Sequence, residues 1–470
     1  MGFEVSAWLR TRPPVAAMTV LSLASPKRHP LFFKPTISCC TSGSADSSPL
    51  SPSSLSSRSY IRRWCSTPIS RRPLDQDVDN VRDWVEADQP LASPDRLTIV
   101  SYNILGDRNA LKHKDLYSNV PPFYMNWERR KKVICKELMG WNPDIICLQE
   151  VDRYYELSDI LVKAGYAGSY KRRTGDAADG CAMFWKADEF RLLEARVLNS
   201  RSLVFVIMLL NFLFLRKMRK DESRRLLVGN IHVLYNPSRG DVKLGQIRFL
   251  LLRAQILSAK WGDAPLVLAG DFNSTPQSAI YKFLSSSKLN ILFYDRRDLS
   301  GQKSCHPAQV LGLKKEVSSP FIIMNGLLEN CWTDKEVEVA TGDAGCHVLV
   351  HPLKLSSSYA TVKGSRKTRG SNGEPLATSY HSKFLGTVDY LWYSDGLVPT
   401  KVLDIIPFDT LHSTGSLPCK NIGSDHLALV SEFAFTSRTE EGNNTTTAAF
   451  SGVAAPASKE QNDLLVMDSC

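Results

Sequence analysis

The 470-residue chain has no C-x-x-C pair among its eleven cysteines, no visible internal repeat, and no apolar run of membrane-spanning length. The absence of a C-x-x-C pair argues against a disulfide scaffold. Cys135, Cys147 and Cys181 lie among apolar neighbours, which predicts buried thiols in a reducing compartment. The longest apolar run, Leu203 to Leu215, has thirteen residues and is too short to span a bilayer comfortably. We therefore expect a globular protein with no membrane partner.

Most of the chain also lacks a strong charge of either sign. The net charge is +10, but residues 1–74 hold ten Lys and Arg and only two acids, so that segment alone contributes +8. Only +2 is left for the remaining residues. A nucleic-acid site must therefore be local rather than a broad basic face.

Composition divides the chain into four segments. Residues 1–74 are rich in Ser, Arg and Pro, cannot bury a core, and suit a mitochondrial or plastid transit peptide. The alternative is a disordered extension of a protein of the nucleus and cytoplasm. Residues 75–95 are predicted as a linker, 96–435 as the folded domain, and 436–470 as a disordered tail.

Apolar strands and amphipathic helices alternate within the folded domain, which predicts an α/β fold. The predicted strands cover 97–102, 144–148, 226–233, 265–269 and 427–433, and the predicted helices cover 127–140, with Asn126 as its cap, and a stretch marked by Leu244, Ile247, Leu251 and Ala254. Residues 299–380 are loop-rich and are assigned to no element.

Polar residues recur where these strands end, and the run Gly270-Asp271-Phe272-Asn273 is the most informative of them. Ligands bind beyond the carboxyl ends of strands in α/β sheets. Taken alone, Gly-Asp-x-Asn is equally consistent with an Asx turn. Similar placements elsewhere favour a site, and they are Asn103, Gln149-Glu150, His232, Asp389 and Ser424-Asp425-His426. Oxygen ligands with few nitrogens suit Mg²⁺ or Mn²⁺ rather than zinc, and such a cation suits a phosphate ester substrate.

The order and spacing of these residues resemble the endonuclease/exonuclease/phosphatase superfamily across nearly all of residues 96–435. Further segments look like the carbon catabolite repressor four-type poly(A) deadenylases, and in particular their plant homolog group. The segments that carry this second resemblance are Ser101-Tyr102-Asn103-Ile104-Leu105, Val233-Leu234-Tyr235-Asn236-Pro237, Asp241-Val242-Lys243 and Phe384-Leu385-Gly386-Thr387-Val388-Asp389-Tyr390.

The resemblance implies a two-sheet α/β sandwich with the site between the sheets. It implies that Glu150 is the principal Mg²⁺ ligand, that Asn103 assists it, and that Asp425 is a candidate ligand for a second metal. It also implies that adenine is gripped between Pro237 and Phe384. An apolar grip needs no charge, which agrees with a nearly neutral domain that binds RNA.

The resemblance further implies roles for the remaining polar residues. Asp271 would orient the attacking water, Asn273 would hold the phosphate in the transition state, and His232 would donate to a phosphate oxygen. His426, paired with Asp389, would contact the phosphate or serve in proton transfer.

Two features depart from the family pattern. Residues 195–225 lack the strand that the family usually carries there, and Leu203 to Leu215 would have to replace it. We also find no leucine-rich repeat of the kind that docks the founding members into a large deadenylase complex.

The function expected from the sequence is a Mg²⁺-dependent 3′-exoribonuclease that shortens poly(A) tails of mRNA and releases 5′-AMP. One alternative is another phosphoesterase of the superfamily, acting on a nucleotide, a cyclic phosphate or a phosphoinositide. The other is a catalytically impaired RNA-binding isoform, which the altered residues 195–225 would explain.

Overall fold

The computed structural model describes residues 82–436 except 90, 92, 94, 174–176, 198–208, 219–223 and 313–331. The predicted targeting segment 1–74 and tail residues 437–470 lie outside the described residues, so both stay predictions. In chain order the described strands are β1 Trp84–Glu86, β2 Arg96–Asn103, β3 Ile145–Gln149, β4 Tyr166–Arg172, β5 Gly180–Lys186, β6 Phe190–Val197, β7 Leu209–Lys217, β8 Arg224–His232, β9 Leu266–Asp271, β10 Lys288–Asn290, β11 Val348–Val350, β12 Ser356–Ser357, β13 Ser379–His381, β14 Phe384–Gly386, β15 Asp389–Tyr393, β16 Leu397–Leu403 and β17 Leu429–Phe435.

The described helices surround these strands. In chain order they are α1 Asp107–Lys112, α2 Pro122–Met125, α3 Trp127–Trp141, α4 Tyr154–Lys163, α5 Gly240–Lys260, α6 Ala279–Ser286, α7 Pro307–Val310, α8 Asp334–Thr341, α9 Ser358–Thr361 and α10 Phe408–Ser413, with 3₁₀ turns at Lys114–Tyr117, Ile291–Phe293 and Gln302–Ser304. None of them is long and apolar enough to cross a membrane. Residues 299–380, which the sequence left unassigned, hold only short elements in their described part.

The strands form two large sheets. The first has seven strands in the order β1-β16-β17-β2-β3-β5-β4, and the second has six in the order β12-β15-β9-β8-β7-β6. Only the β2–β3 and β8–β9 pairs of these described strands are parallel, and the other pairs are antiparallel. The predicted two-sheet α/β sandwich is confirmed.

Each large sheet is buried on both faces, which explains the nearly continuous apolar runs in its strands. Leu97 and Ile99 of β2 share one apolar cluster with Leu226 and Val228 of β8, so this cluster lies between the sheets. A second cluster packs the second sheet against α5, α6 and α8, and a third packs the first sheet against α3 and α4. The layers therefore run helix, sheet, sheet, helix.

The predicted helices occur where the sequence placed them. In α3 the side chain of Asn126 accepts a hydrogen bond from the backbone N–H of Arg129 at 3.2 Å, and Asn142 ends the helix in the left-handed conformation. The predicted apolar stripe of α5, from Leu244 to Ala254, is buried against the second sheet.

The atypical segment supplies a strand. β7 lies between β6 and β8 and pairs antiparallel with β8 over nine residue pairs, from Leu209 with His232 to Lys217 with Arg224. Phe212 to Leu215 are buried. The second part of the apolar run Leu203 to Leu215 therefore replaces the strand that was expected to be missing, while residues 198–208 lie outside the described part of the chain.

The predicted linker 75–95 needs correction. Trp84–Glu86 pairs antiparallel with β16, with Trp84 opposite Leu403 and Glu86 opposite Lys401. Arg82 also donates hydrogen bonds to the backbone oxygens of Asp404 and Ala428, both at 2.7 Å. The first sheet therefore includes residues before position 96. The sequence did not reveal this strand, because three residues are too few to show the alternation of apolar and polar side chains.

Glu137 of α3 gives the fold a pH-dependent stability. Its carboxyl group is buried and accepts a hydrogen bond from the Tyr102 hydroxyl at 3.0 Å, and burial raises its pKa to about 7. Because this pKa is higher in the folded than in the unfolded protein, the contribution of Glu137 is full below about pH 4.5 and is lost as the pH rises through 7. We expect Glu137→Gln to remove a pH dependence of about 3 kcal/mol between about pH 4.5 and about pH 8.

Urea unfolding of both proteins at the two pH values measures this difference. Other buried carboxyl groups titrate equally in both proteins and cancel in the comparison. A free energy of unfolding with the same pH dependence in the variant and the wild type would contradict the assignment.

Candidate active site

The alternation of side chains in the strands brings four predicted site residues to one place. In β2, Leu97 and Ile99 face the other sheet, so Asn103, in the same alternation, faces it as well. In β8, Leu226 and Val228 also face the other sheet, and His232, in the same alternation, lies on this inner face. Two more residues follow this rule, namely Asp271 in β9 and Asp389 in β15.

Strand register then sets these residues side by side. His232 of β8 pairs with Asp271 of β9, and Asp271 pairs with Asp389 of β15. The three residues form one row across the second sheet, opposite Asn103 at the end of β2. All four side chains are buried.

The turn after β9 depends on Gly270. Its φ is +148°, and a Cβ atom there would lie 2.0 Å from the backbone oxygen of Ile231. Asn273 has a φ of +48°, and its backbone N–H donates to Asp271 Oδ1 at 2.9 Å. The Asx turn that the sequence offered as an alternative is therefore present, and it coexists with a site because Asp271 and Asn273 both line a cavity.

Glu150 follows β3 in a left-handed conformation, with a φ of +59°. Its carboxylate accepts hydrogen bonds from Asn103 Nδ2 at 3.2 Å, from Asn109 Nδ2 at 2.9 Å and from the Gly106 N–H at 3.2 Å. Burial raises its pKa, and the nearby Asp425 raises it further. An uncommon backbone conformation at a buried carboxylate is typical of a functional position.

The side chain of Asn103 directs its amide nitrogen, and not its oxygen, toward the carboxylates of the site. Its Oδ1 accepts a hydrogen bond from the Leu105 N–H at 3.2 Å, so its amide nitrogen is the end that faces Glu150 and Asp271, the latter at 3.1 Å. An amide N–H cannot bind a cation. In this structure the side chain orients two carboxylates, and the predicted ligand role of Asn103 stays a prediction.

Asp271 lies at the centre of the polar groups. Besides Asn103, its Oδ2 has His232 Nε2 at 3.6 Å and His426 Nε2 at 4.0 Å. Burial and the negative charge of Asp389 raise its pKa to about 7. Asp271 therefore has the properties of a group that can accept a proton near neutral pH.

His426 and Asp389 form a buried pair. His426 Nδ1 lies 2.8 Å from Asp389 Oδ2, which also accepts a hydrogen bond from the Thr378 hydroxyl at 2.6 Å. Burial by itself would lower the pKa of His426, but the charge and the hydrogen bond of Asp389 outweigh it and hold the pKa well above its usual value. The raised pKa favours the protonated ring, whose Nε2 lies 4.0 Å from Asp271 Oδ2.

His232 is held by two residues that the sequence did not indicate. Arg173 donates to His232 Nδ1 at 3.1 Å and to the Asp179 carboxylate at 2.9 Å. An arginine only donates, so Nδ1 accepts and the proton of the neutral ring is on Nε2, which faces Asp271. Burial and Arg173 lower the pKa of His232 to about 3, so the ring is neutral.

The two sheets are joined beside the site by a buried amide pair. Gln149 Nε2 donates to Asn230 Oδ1 at 2.8 Å, and Asn230 Nδ2 donates to the backbone oxygens of Leu148 and Ala182 at 3.1 and 3.0 Å. These bonds connect β8 to the first sheet two residues before His232. The position of His232 therefore depends on contacts with β3 and β5 as well as on the atypical β7.

Lys243 and Gln302 lie under the Asp-x-Asn turn. Lys243 Nζ donates to the backbone oxygen of Asn273 at 2.8 Å and to Gln302 Oε1. Gln302 Nε2 in turn donates to Asn273 Oδ1 at 3.0 Å. Lys243 is wholly buried, and burial lowers its pKa to about 7. The only trace of this contact in the sequence is the segment Asp241-Val242-Lys243, whose lysine interrupts a buried helix face.

These groups line a cavity of about 310 Å³. The lining includes a polar group of residues, called the polar wall, which contains Glu150, His232, Asp271, Asn273, Asp425 and His426. It also includes a largely apolar group, called the apolar wall, which contains Leu105, Leu116, Leu234, Tyr235, Phe384 and Val388. Asp425 accepts a hydrogen bond from the Tyr117 hydroxyl at 2.9 Å. The cavity thus offers both charged groups and apolar surface to a ligand.

The predicted adenine grip is only half present. Phe384 lines the cavity, where its ring lies 6.1 Å from that of His381 at an angle of 34°. Pro237 is not among the lining residues, whereas the half-exposed Tyr235 is. The predicted contact of Pro237 with adenine therefore stays a prediction.

The carboxylates fit a divalent cation. Glu150, Asp271 and Asp425 line one cavity, and burial, together with neighbouring negative charge, raises the pKa values of Glu150 and Asp271. Among the described residues, Asp271, Asp389 and His426 offer ligand atoms within 4.8 Å of one another and could hold a metal. His426 and Asp389 already form a hydrogen bond with each other, and Glu150 and Asp425 are further carboxylates that line the same cavity.

The fold and this acidic site define a class of protein. The model of the endonuclease/exonuclease/phosphatase family matches residues 100–426, and the chain belongs to this family. It is 53% identical over 412 residues to Carbon catabolite repressor protein 4 homolog 3 of Arabidopsis thaliana, a match that covers 86% of this chain and 91% of the relative. It is 45% identical over 366 residues to homolog 5 from the same plant, over 75% of this chain and 81% of that one.

A solved structure is similar as well. The crystal structure of ANGEL2, described as a 2′,3′-cyclic phosphatase and bound to adenosine-2′,3′-vanadate, is 28% identical and superposes with a TM-score of 0.61. The likeness covers 75% of this chain and 98% of that one. The family, the carbon catabolite repressor relatives and this structure together support a hydrolase of the phosphoesterase or nuclease kind.

Proposed function

We propose that the protein is a Mg²⁺-dependent 3′-exoribonuclease that shortens poly(A) and releases 5′-AMP. The observation that carries this proposal is the pairing of Glu150, Asp271 and two histidines on one cavity wall with an apolar wall containing Phe384. A phosphodiester and its attached base need these two kinds of surface side by side. The similarity to carbon catabolite repressor protein 4 homologs supports the choice of poly(A).

In this proposal Glu150 and Asp425 hold the cation, and Mn²⁺ would serve as well as Mg²⁺ because both prefer oxygen ligands. The cation would neutralise charge on the phosphate oxygens. Asn103 keeps the carboxylates of Glu150 and Asp271 in place through its two amide hydrogen bonds. All remaining chemistry falls to side chains of the polar wall.

Asp271 takes a proton from the attacking water, since its raised pKa makes it basic enough near neutral pH. The water oxygen bonds to phosphorus, and the bond from phosphorus to the 3′ oxygen of the preceding ribose breaks, which gives 5′-AMP and a new 3′ hydroxyl. The Nε2–H of neutral His232 and the amide of Asn273 donate to phosphate oxygens. His426, whose pKa is kept high by Asp389, provides positive charge and a proton beside the same atoms.

The apolar wall would hold the base. Stacking on an aromatic ring is favourable for every base by roughly 1–3 kcal/mol. Phe384 offers such a ring, and the phenol of Tyr235 lines the same cavity. The near-neutral domain then binds RNA through stacking and through the phosphate groups rather than through a basic face.

A second function, hydrolysis of a 2′,3′-cyclic phosphate, is favoured by the similarity to ANGEL2, which is described as a 2′,3′-cyclic phosphatase. The same polar wall would act on a phosphodiester that closes on one ribose. The third expectation, an impaired RNA-binding isoform, is less favoured because β7 pairs fully with β8 and Asn230 ties β8 to the first sheet.

A 5′-labelled RNA with an A-tail distinguishes these functions. We expect the wild-type protein with Mg²⁺ to shorten the tail stepwise and to release 5′-AMP, and to act more slowly on a U-tail and on the same RNA ending in a 2′,3′-cyclic phosphate. Glu150→Ala is the inactive control. Opening of the cyclic phosphate without tail shortening would favour the second function, and RNA binding with no more turnover than Glu150→Ala would favour the third.

A further inference from the structure

Lys243 does not line the cavity, yet it is completely buried at the base of the active-site turn. Its ammonium group donates to the backbone oxygen of Asn273 at 2.8 Å and to Gln302 Oε1. Burying a lysine raises the free energy of the folded state, so a buried lysine suggests a role other than packing.

The hydrogen bonds around Gln302 have a defined direction. A lysine can only donate, so the atom of Gln302 that it contacts must be the oxygen. The Ser300 hydroxyl donates to the same oxygen at 3.2 Å. The amide nitrogen of Gln302 is therefore the end that faces Asn273, at 3.0 Å from its side chain.

The orientation of the Gln302 amide determines the orientation of the Asn273 amide. Because Gln302 presents an N–H, the atom of Asn273 that receives it must be Oδ1. The amide nitrogen of Asn273 then lies on the other side, where one N–H donates to the backbone oxygen of Val233 at 3.0 Å. A carboxamide nitrogen carries two hydrogens, so a second N–H is on the side of the cavity that Asn273 lines.

The two orientations of the Asn273 amide have nearly the same shape, so packing alone does not choose between them. They differ in what they offer to a phosphate. With Nδ2 toward the cavity, Asn273 donates a hydrogen bond to an anionic oxygen; with Oδ1 there, it repels that oxygen. The choice therefore decides whether Asn273 assists or opposes binding of a phosphate in the transition state.

We propose that Lys243 and Gln302 are positioning residues that fix the direction of the Asn273 amide, so that its N–H rather than its C=O faces the scissile phosphate. This inference rests on the proposed phosphodiesterase function. Lys243 does not line the cavity, whereas Gln302 does, and the role proposed for Gln302 is its contact with Asn273. Lys243 sets the orientation of Gln302, and Gln302 sets the orientation of Asn273.

Gln302→Glu tests the proposal with little change in shape. The new carboxylate pairs with Lys243, so the fold is retained, but it has no N–H for Asn273 and favours the reversed amide. We expect kcat to fall about 10²-fold, the cost of one lost donor to a developing anion, while KM changes about threefold or less. Ser300→Ala is the matched control, because it removes a contact to the same Gln302 oxygen and leaves Lys243 to orient it. Its kcat should match the wild type.

A second readout does not depend on activity. In the full-length protein labelled with ¹⁵N-asparagine, the side-chain amide signals of Asn273, identified by their loss in Asn273→Asp, should shift when inorganic phosphate is added. In Gln302→Glu this shift should be absent. Lys243→Met is a poorer test, since it leaves two buried oxygens short of a donor and destabilises the turn.

The outcomes separate the two proposals. If the wild type cleaves no RNA but its Asn273 signals respond to phosphate and those of Gln302→Glu do not, the inference holds and the proposed function fails. If Gln302→Glu cleaves RNA with wild-type kcat, or its Asn273 amide responds to phosphate as in the wild type, the positioning role is overturned.

Discussion

Glu150→Gln is expected to lower kcat for phosphodiester hydrolysis by about 10³-fold and to weaken Mg²⁺ binding, because it removes the negative charge at the proposed cation site. The change keeps the size of the side chain. It also breaks the local pattern of donors, since Asn103, Asn109 and the Gly106 N–H all donate to the two carboxylate oxygens. A glutamine could accept with only one of its two terminal atoms.

Calorimetric titration of Mg²⁺ measures the binding part of this prediction, and hydrolysis rates over a range of Mg²⁺ concentrations measure the catalytic part. Asp152→Asn is a matched control two residues away. The Asp152 carboxylate accepts a hydrogen bond from the Arg108 N–H at 2.7 Å at the start of α1 and does not line the cavity. Equal Mg²⁺ affinity in Glu150→Gln and the wild type would show that the cation is held elsewhere, for example by Asp271, Asp389 and His426.

The sequence predicted the strands and much of the polar wall because both follow from the positions of apolar segments. Mostly apolar segments of five to eight residues identified β2, β3, β8 and β9. Asn103, His232 and Asp271 could be grouped before any geometry was available because each lies where one of these predicted strands ends.

The residues that orient the wall could not be found in this way. Arg173 and Asp179 lie in the connection between β4 and β5, and Lys243 and Gln302 come from a helix and a loop that are far apart in the chain. Only the three-dimensional arrangement brings them to His232 and Asn273. A polar residue in a helix or a loop carries no period that would reveal its partner.

The sequence did not predict the direction of some side chains. Asn103 lies at the expected end of β2, and its amide nitrogen faces the carboxylates because its oxygen accepts a hydrogen bond from the Leu105 N–H. Tyr235 lines the cavity, whereas Pro237 is not among its lining residues. The predicted roles of Asn103 and Pro237 stay predictions, because residue type and position do not set the direction of a side chain.

The residues at the polar wall fall into those that orient other groups and those that face the cavity. Two donor-only cations, Arg173 at the edge of the cavity and Lys243 outside its lining, fix the direction of groups that could point either way. The groups that face the cavity are then a neutral N–H donor at His232, an amide at Asn273 and a cation at His426. Asp271 lies among them as the acceptor, which makes its replacement the sharpest test of the mechanism.

Asp271→Asn is expected to reduce kcat by about 10²–10⁴-fold, the range for loss of a general base, while RNA affinity changes about threefold or less. The reason is that Asp271 Oδ2 lies within 4.0 Å of both histidine Nε2 atoms and is the carboxylate whose pKa is raised to about 7. An asparagine of equal size keeps Oδ1 for the Asn273 N–H but cannot take a proton from water.

Kinetics on A-tailed RNA, together with binding of the same RNA in Ca²⁺, would separate the loss of chemistry from a loss of affinity. One complication is specific: an amide nitrogen at the place of Oδ2 would meet the amide nitrogen of Asn103, which now donates there at 3.1 Å. Asn103 also donates to Glu150 Oε1 at 3.2 Å, so replacing Asn103 as well would disturb the proposed cation site. The test is therefore the measured split between kcat and RNA affinity, and a kcat within about tenfold of the wild type would contradict the role of Asp271 as the base.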